Sequence, residues 1–181
     1  ELEDKTSENG IVKMSGMVRG SGSPFPVSVA HPENWNGEVI LRLSGEAGEA
    51  GESSFLVPEL AGGEGDGNQA TTYSGKQVDT NSWQRSPVYF YGYNDSVFVR
   101  RAHCLVSLVA MVRQHPNWKV ERVVVEAEGE LAAVAVAAKV ILGDSIDELR
   151  VDPGGFSFAE IDDLWDDAMV PGALKYGGVA G

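Results

Sequence analysis

The feature that most constrains this chain is a strand, a helix and a strand in direct succession between residues 119 and 152. Residues 119–125, KVERVVV, are rich in β-branched side chains and read as a buried strand. Residues 129–142, GELAAVAVAAKVIL, read as an apolar, alanine-rich helix that Gly143-Asp144 stops. Its small side chains let the helix backbone approach a sheet closely. Residues 147–152, DELRVD, give a last short strand. Two strands joined by a crossover helix lie parallel in one sheet.

Upstream, the same reading extends the sheet. Residues 96–114 carry Val97, Val99, Ala102, Leu105, Val106, Val109 and Val112 at the spacing of an amphipathic helix, ended by His115-Pro116-Asn117. Residues 11–19 and 26–30 are strand-like, and the Gly- and Ser-rich segment 20–24 between them signals a hairpin. A turn through Asn36-Gly37 leads into a buried strand at 38–43, and residues 53–58 form another. Between these two strands lies an acidic, glycine-rich loop at 44–51. Residues 59–87 are rich in Gly, Asn, Ser and Thr, a long loop of the kind that carries function. Residues 1–10 are polar and expected to fray, leaving 11–181 as one domain. The expected fold class is α/β: a mostly parallel sheet with an N-terminal antiparallel hairpin.

Composition narrows the function. Of 181 residues, 43% are hydrophobic, enough for a proper core. The net charge of -13, from 27 acidic and 14 basic residues, repels phosphate backbones and anionic membrane surfaces, so nucleic acid is not an expected partner. Neutral ligands such as sugars or acyl esters remain open. No apolar run approaches the about 18–20 residues of a membrane-spanning helix. Cys104 is the one cysteine, so no intramolecular disulfide exists, and it reads as a small buried hydrophobe. The first methionine is Met14, so Glu1 is read as the product of processing or excision.

Three stretches carry a family resemblance. They are residues 27–37 (VSVAHPENWNG), residues 90–94 (FYGYN) with the helix bearing Arg100 and His103, and residues 167–178 (DAMVPGALKYGG). Together with the strands between them they resemble bacterial α/β-hydrolases of the acetyl xylan esterase-like kind, over roughly residues 11–181. The resemblance implies an α/β-hydrolase sheet with its C-terminal part missing, a carboxylic-ester hydrolase of acylated carbohydrate, and a periplasmic or extracellular location. It also implies a nucleophile elbow, G-x-S-x-G in active hydrolases, between residue 125 and the alanine-rich helix. The matching residues are Glu126-Ala127-Glu128-Gly129-Glu130. Glu128 is expected at the serine position, with glutamates in place of both glycines. The oxyanion hole would take backbone N–H groups from around Gly45 and from Gly129. A carboxylate beside that hole opposes a developing oxyanion.

The family's order of nucleophile, acid and histidine is also broken. His31, His103 and His115 all precede position 128; Asp152, Asp162, Asp163, Asp166 and Asp167 are candidate acids with no histidine after them. The site is therefore expected to be degenerate and the isolated chain inactive. A competing reading is a binding or structural module that pairs with itself or with another polypeptide across the exposed sheet edge.

The bland readings stand beside these. Glu128 also offers a covalent carboxylate nucleophile, as aspartate is in some hydrolases of this fold, but the favoured reading of it and its neighbours is acids at a helix N-terminus, worth about 0.3–1 kcal/mol. No cofactor is expected. Residues 64–68, EGDGN, alternate oxygen ligands as calcium loops do; the twelfth position is Gly75 where an EF-hand needs glutamate, so the plainer reading is a solvated acidic turn, with a calcium-stabilised domain as the weaker alternative. Trp83, Tyr89, Phe90, Tyr91 and Tyr93 could stack on sugars, although such residues more often pack. Ser44 has no base placed by sequence.

Overall fold

In a computed structural model the described residues are 2–8, 11–18, 25–45, 51–60, 72–73, 76–77, 91–92, 95–163 and 166–176. Strands β1 (Leu2–Glu8), β2 (Ile11–Val18), β3 (Phe25–Pro32), β4 (Glu38–Arg42) and β5 (Ser54–Pro58) come first. A small ribbon, β6 (Thr72–Tyr73) and β7 (Lys76–Gln77), precedes helix α1 (Val97–Gln114). Strand β8 (Arg122–Glu128), helix α2 (Glu130–Leu142) and strand β9 (Glu148–Asp152) complete the order.

Among the described residues the main sheet has seven strands in the order β1-β2-β3-β5-β4-β8-β9. Strands β1, β2, β3 and β5 pair antiparallel in turn; β5 with β4, β4 with β8 and β8 with β9 are parallel. The sheet is thus the mostly parallel one with an antiparallel N-terminal edge that the sequence predicts. Two details differ. Residues 2–8, expected to fray, form β1, because the alternate residues of β2 leave an open edge for it to pair. The strand expected at 119–125 runs from Arg122 to Glu128, since the amides of Glu121 and Arg122 both donate to the carbonyl of Gly37 (2.9 and 3.2 Å) before the ladder begins.

Alternation within each strand builds two unlike faces. Val27, Val29, Val39, Leu41, Leu56, Val123 and Val125 face α1 and α2 and join Leu105, Leu108, Val109, Val112, Ala135 and Ala138 in the main core. Each fully buried Val or Leu contributes about 1.5–3 kcal/mol by leaving water. The small side chains at 132, 133, 135 and 138 let α2 sit close against the sheet and α1. On the other face, Ala30, Ile40, Phe55 and Val124 form a small buried island. Beside it runs a ladder of arginines and carboxylates: Arg122 with Glu38 and Glu148, Arg150 with Glu148 and Glu126, and Arg42 with Glu126. The Arg42 guanidinium lies over the Phe55 ring, 5.0 Å from its centre. Among the described residues the second face thus combines this buried island with a charged flank, and Met17 of β2 stays exposed.

Helix boundaries follow local chemistry. Ser96 caps α1, its hydroxyl accepting from the Val99 amide at 3.3 Å. Pro116 follows the last turn and holds His115 in extended backbone. At the end of α2 the Lys139 ammonium donates to the carbonyls of Gly143 and Ile146 (2.9 and 2.6 Å), tying the helix terminus to the turn that enters β9.

Candidate active-site cleft

Parallel strands bring their carboxyl ends to one end of the sheet, and in such sheets that end carries the site. Here it forms a cleft of ≈ 630 Å3. Arg42, Ser44 and Gly45 line it from β4 and the loop that follows. Glu126, Ala127 and Glu128 line it from β8, and Arg150, Val151 and Asp152 from β9. Among the described residues no histidine lines it.

Glu126 organises the floor. Its Oε2 accepts from Arg42 Nε (3.0 Å) and from the terminal guanidinium nitrogen (2.9 Å), while Oε1 accepts from Arg150 at 3.2 Å. Its backbone carbonyl accepts from the Leu43 amide at 2.9 Å, which fixes the start of the Gly45 loop. Such partly exposed pairs contribute at most about 1 kcal/mol each, but the shared carboxylate holds both arginines in place.

The turn from β8 into α2 is at Gly129, with φ 58° and ψ −134°. Glu128 is the last residue of the strand, exposed at the cleft and in register with Asp152 on β9. A Cβ built on Gly129 meets nothing within 4 Å. The Gly129 amide donates to the Asp152 carbonyl at 2.8 Å. This corrects the expectation that Gly129 supplies an oxyanion-hole donor, because its N–H already extends the β8–β9 ladder. The next amide, that of Glu130, belongs to the first helical residue and so has no acceptor within the helix. Gly45 lies on the cleft, with φ 85° and, among the described residues, open space about it.

Behind the turn lies a buried cation that is not among the candidates read from the sequence. Arg101 of α1 has a side chain only 5% exposed, and it donates to Glu130 (2.5 Å) and to Asp167 (2.9 Å). It ties the first turn of α2 to the segment 166–170, whose Ala168 is buried and whose Val170 packs beside Phe98 and Val134. Burial raises the Asp167 carboxyl above its usual range; Arg101 opposes this, and Glu130 and Asp166 add to it. Tyr91 is raised as well, by burial first and then by Asp163, Asp166 and Asp167. The charged residue at the centre of an otherwise apolar helix stripe was the available signal for Arg101.

The remaining candidates disperse. His31 and His115 lie at the opposite, amino end of the parallel strands, and His103 sits on α1 with its carbonyl accepting from Ser107 (2.8 Å). Asp152 is on the cleft, its Oδ1 accepting from the Gly154 amide at 2.9 Å. Asp162, Asp163 and Asp166 are exposed on the following segment. Cys104 is half-buried, and burial raises its thiol pKa against the pull of Arg100. Glu46, residues 64–68, Trp83, Tyr89, Phe90 and Tyr93 lie outside the described residues; Tyr91 is half-buried. Among the described residues no three His, Cys, Asp or Glu side chains converge as a metal site.

The sheet order, the crossover helices and the strand–turn–helix at the cleft define an α/β-hydrolase type of fold. Solved structures agree. Dienelactone hydrolase from Anabaena variabilis ATCC 29413 superposes with a TM-score of 0.51 at 10% identity, over 79% of this chain and 63% of that one. A zinc-bound, cold-adapted esterase from an Arctic intertidal metagenomic library gives 0.53 at 8%, over 83% and 63%. The acetyl xylan esterase from Paenibacillus sp. R4 gives 0.51 at 14%, over 82% and 51%. The chain thus spans between about half and somewhat under two thirds of these hydrolases. At such identities the likeness is one of fold. No family model matches the sequence, and no curated protein does.

Proposed function

We propose that this domain is a degenerate carboxylic-ester hydrolase site that binds acylated carbohydrate without forming an acyl-enzyme. One observation carries this reading. In hydrolases of this fold the nucleophile is itself the strained residue of the strand-to-helix turn. The residue with positive φ at this turn is Gly129, which has no side chain. The reactive position then moves one residue from Glu128, and Glu128 becomes the strand-end carboxylate beside it. A carboxylate only accepts hydrogen bonds when ionised, so Glu128 and Asp152 suit the hydroxyls of a sugar better than they suit an oxyanion.

The test is turnover of p-nitrophenyl acetate and of acetylated xylo-oligosaccharides, with binding of the latter followed by calorimetry. The expected result is binding with release of acetate at the buffer rate. Enzyme-like turnover that Glu128→Gln abolishes would overturn the reading and restore Glu128 as a covalent carboxylate. The second reading, a structural subunit that pairs with itself or another polypeptide, is favoured by the position of β9 at one end of the described sheet. Light scattering of the full chain separates the two: a stable monomer speaks against the subunit reading.

A further inference from the structure

The amino end of the parallel strands holds a cluster that the ester site does not use. Strand β3 runs antiparallel to β5, so its last residues reach the start of β5. There His31 Nδ1 and the Ser54 hydroxyl are 2.6 Å apart, and Ser54 is wholly buried. The His31 ring stacks on Trp118 at 5.2 Å with only 6° between the planes. Trp35, from the β3–β4 turn, tilts against both rings at 5.2 and 6.1 Å. His115, which follows α1, lies 4.7 Å from Trp118, and its carbonyl accepts from the Trp118 amide at 3.3 Å. Trp35 is itself anchored by its indole N–H on the Glu38 carbonyl at 2.8 Å.

We propose that these four rings and Ser54 form a pH-sensitive clasp that pins the β3–β4 turn, the start of β5 and the α1–β8 connection together while His31 is neutral. The chemistry is local. With His31 neutral and its proton on Nε2, the Ser54 hydroxyl donates to Nδ1. A second proton on the ring turns Nδ1 into a donor, and a hydroxyl cut off from water then loses its acceptor. The added charge also sits among three rings, one of them the imidazole of His115, whose buried Nδ1 has no hydrogen-bond partner among the described residues. Tryptophan faces attract a charged ring. Burial first, and then the His115 charge, nevertheless hold the His31 pKa below its ordinary 6.5.

Other charges near the cluster do not offset this. On the β3–β4 side stand Glu33, which is exposed, and Glu38, whose carboxylate is taken by the Ser53 hydroxyl and Arg122. Before β5 is the exposed Glu52, whose carbonyl accepts from the Asn36 amide. On the α1–β8 side Lys119 is exposed and the Glu121 side chain lies against Gly37. His115 is the neighbour that acts on the charge of His31.

The experiment is an NMR titration of the histidine and tryptophan side chains of the full chain between about pH 8 and pH 4.5, with His31→Gln to assign the ring. The His31 midpoint is expected below the ordinary value, with the Trp35 and Trp118 indole signals moving at the same midpoint. His115→Asn should shift that midpoint upward by removing the neighbouring charge, and Ser54→Ala should shift it upward by removing the donor that favours the neutral ring. If His115→Asn does not fold, Ser54→Ala carries the test. A His31 midpoint at or above the ordinary value overturns the proposal, as do indole signals that ignore the titration or variants that leave the midpoint in place.

Discussion

The two ends of the parallel sheet are built from the same strands and could hardly differ more. At the amino end, His31, Trp35, His115 and Trp118 fill the space between three connections, and the Ser54 hydroxyl is sealed beneath them. At the carboxyl end the strands finish in Arg42, Glu126, Glu128, Arg150 and Asp152, with glycines at 45 and 129 that leave the space open. Large flat rings make one end a joint, and charged side chains held by one another make the other a cleft. Stability is expected to reside in the first and in the buried Arg101 behind the cleft, and ligand contact in the second.

The hardest test of this contrast is Arg101→Met. It leaves Asp167 and Glu130 without their buried partner, and removing one side of such a pair costs about 3–5 kcal/mol when the pair is fully buried. Both carboxylates are partly exposed, so a loss of about 3 kcal/mol is expected in urea unfolding. A loss under about 1 kcal/mol would place the anchor of the 166–170 segment elsewhere. Trp118→Ala empties the amino-end joint. The ring is only half-buried, so the expected cost is about 2 kcal/mol, below the about 3–5 of a core tryptophan. Thermal melting checks it, and a neutral result would deny that end its structural role.

Gly129→Ser probes the open end. Space is free about the added Cβ, so the cost is that of placing a non-glycine residue at positive φ, about 1–2 kcal/mol. Hydrolysis of p-nitrophenyl acetate should stay at background, since among the described residues no histidine lines the cleft to take the serine proton. Turnover by this variant would reveal a base in the cleft. The smallest effect is that of pH. His31 has a lowered pKa in the folded chain, so the unfolded chain binds more protons in the acid range. Its contribution is complete above the ordinary value near 6.5 and declines as pH falls from there toward the folded-state pKa. The urea midpoint should follow this slope in the parent and lose it in His31→Gln; an unchanged slope would locate the linkage in another group.

Much of the fold is legible in the residues. KVERVVV, the alanine-rich run after it and DELRVD specify a β-α-β unit, and Ser96 and Pro116 bracket α1 as local chemistry demands. The site is legible only in part. Gly45, Glu128 and Asp152 reach the cleft because each ends a strand or begins the loop after one, a placement that sequence spacing conveys. Sequence spacing alone put the turn's apex at Glu128, because a five-residue motif can be laid over 126–130 without knowledge of where the ladder stops. The Asp152 carbonyl claims the Gly129 amide, and that bond crosses 23 residues of chain.

The sequence by itself determines the alternation of strands and helices, and with it the mostly parallel sheet, because hydrophobic period and helix-stop chemistry act over a few residues. Only the tertiary structure decides that Arg42, Glu126 and Arg150 become one ladder, that Arg101 is buried between Glu130 and Asp167, and that His31 meets Trp118. The partners in these contacts lie 24 to 87 positions apart along the chain, too far for any local rule. Strand register sets the ladder, helix packing sets the buried arginine, and the reversed direction of β3 carries His31 to the closed end of the sheet.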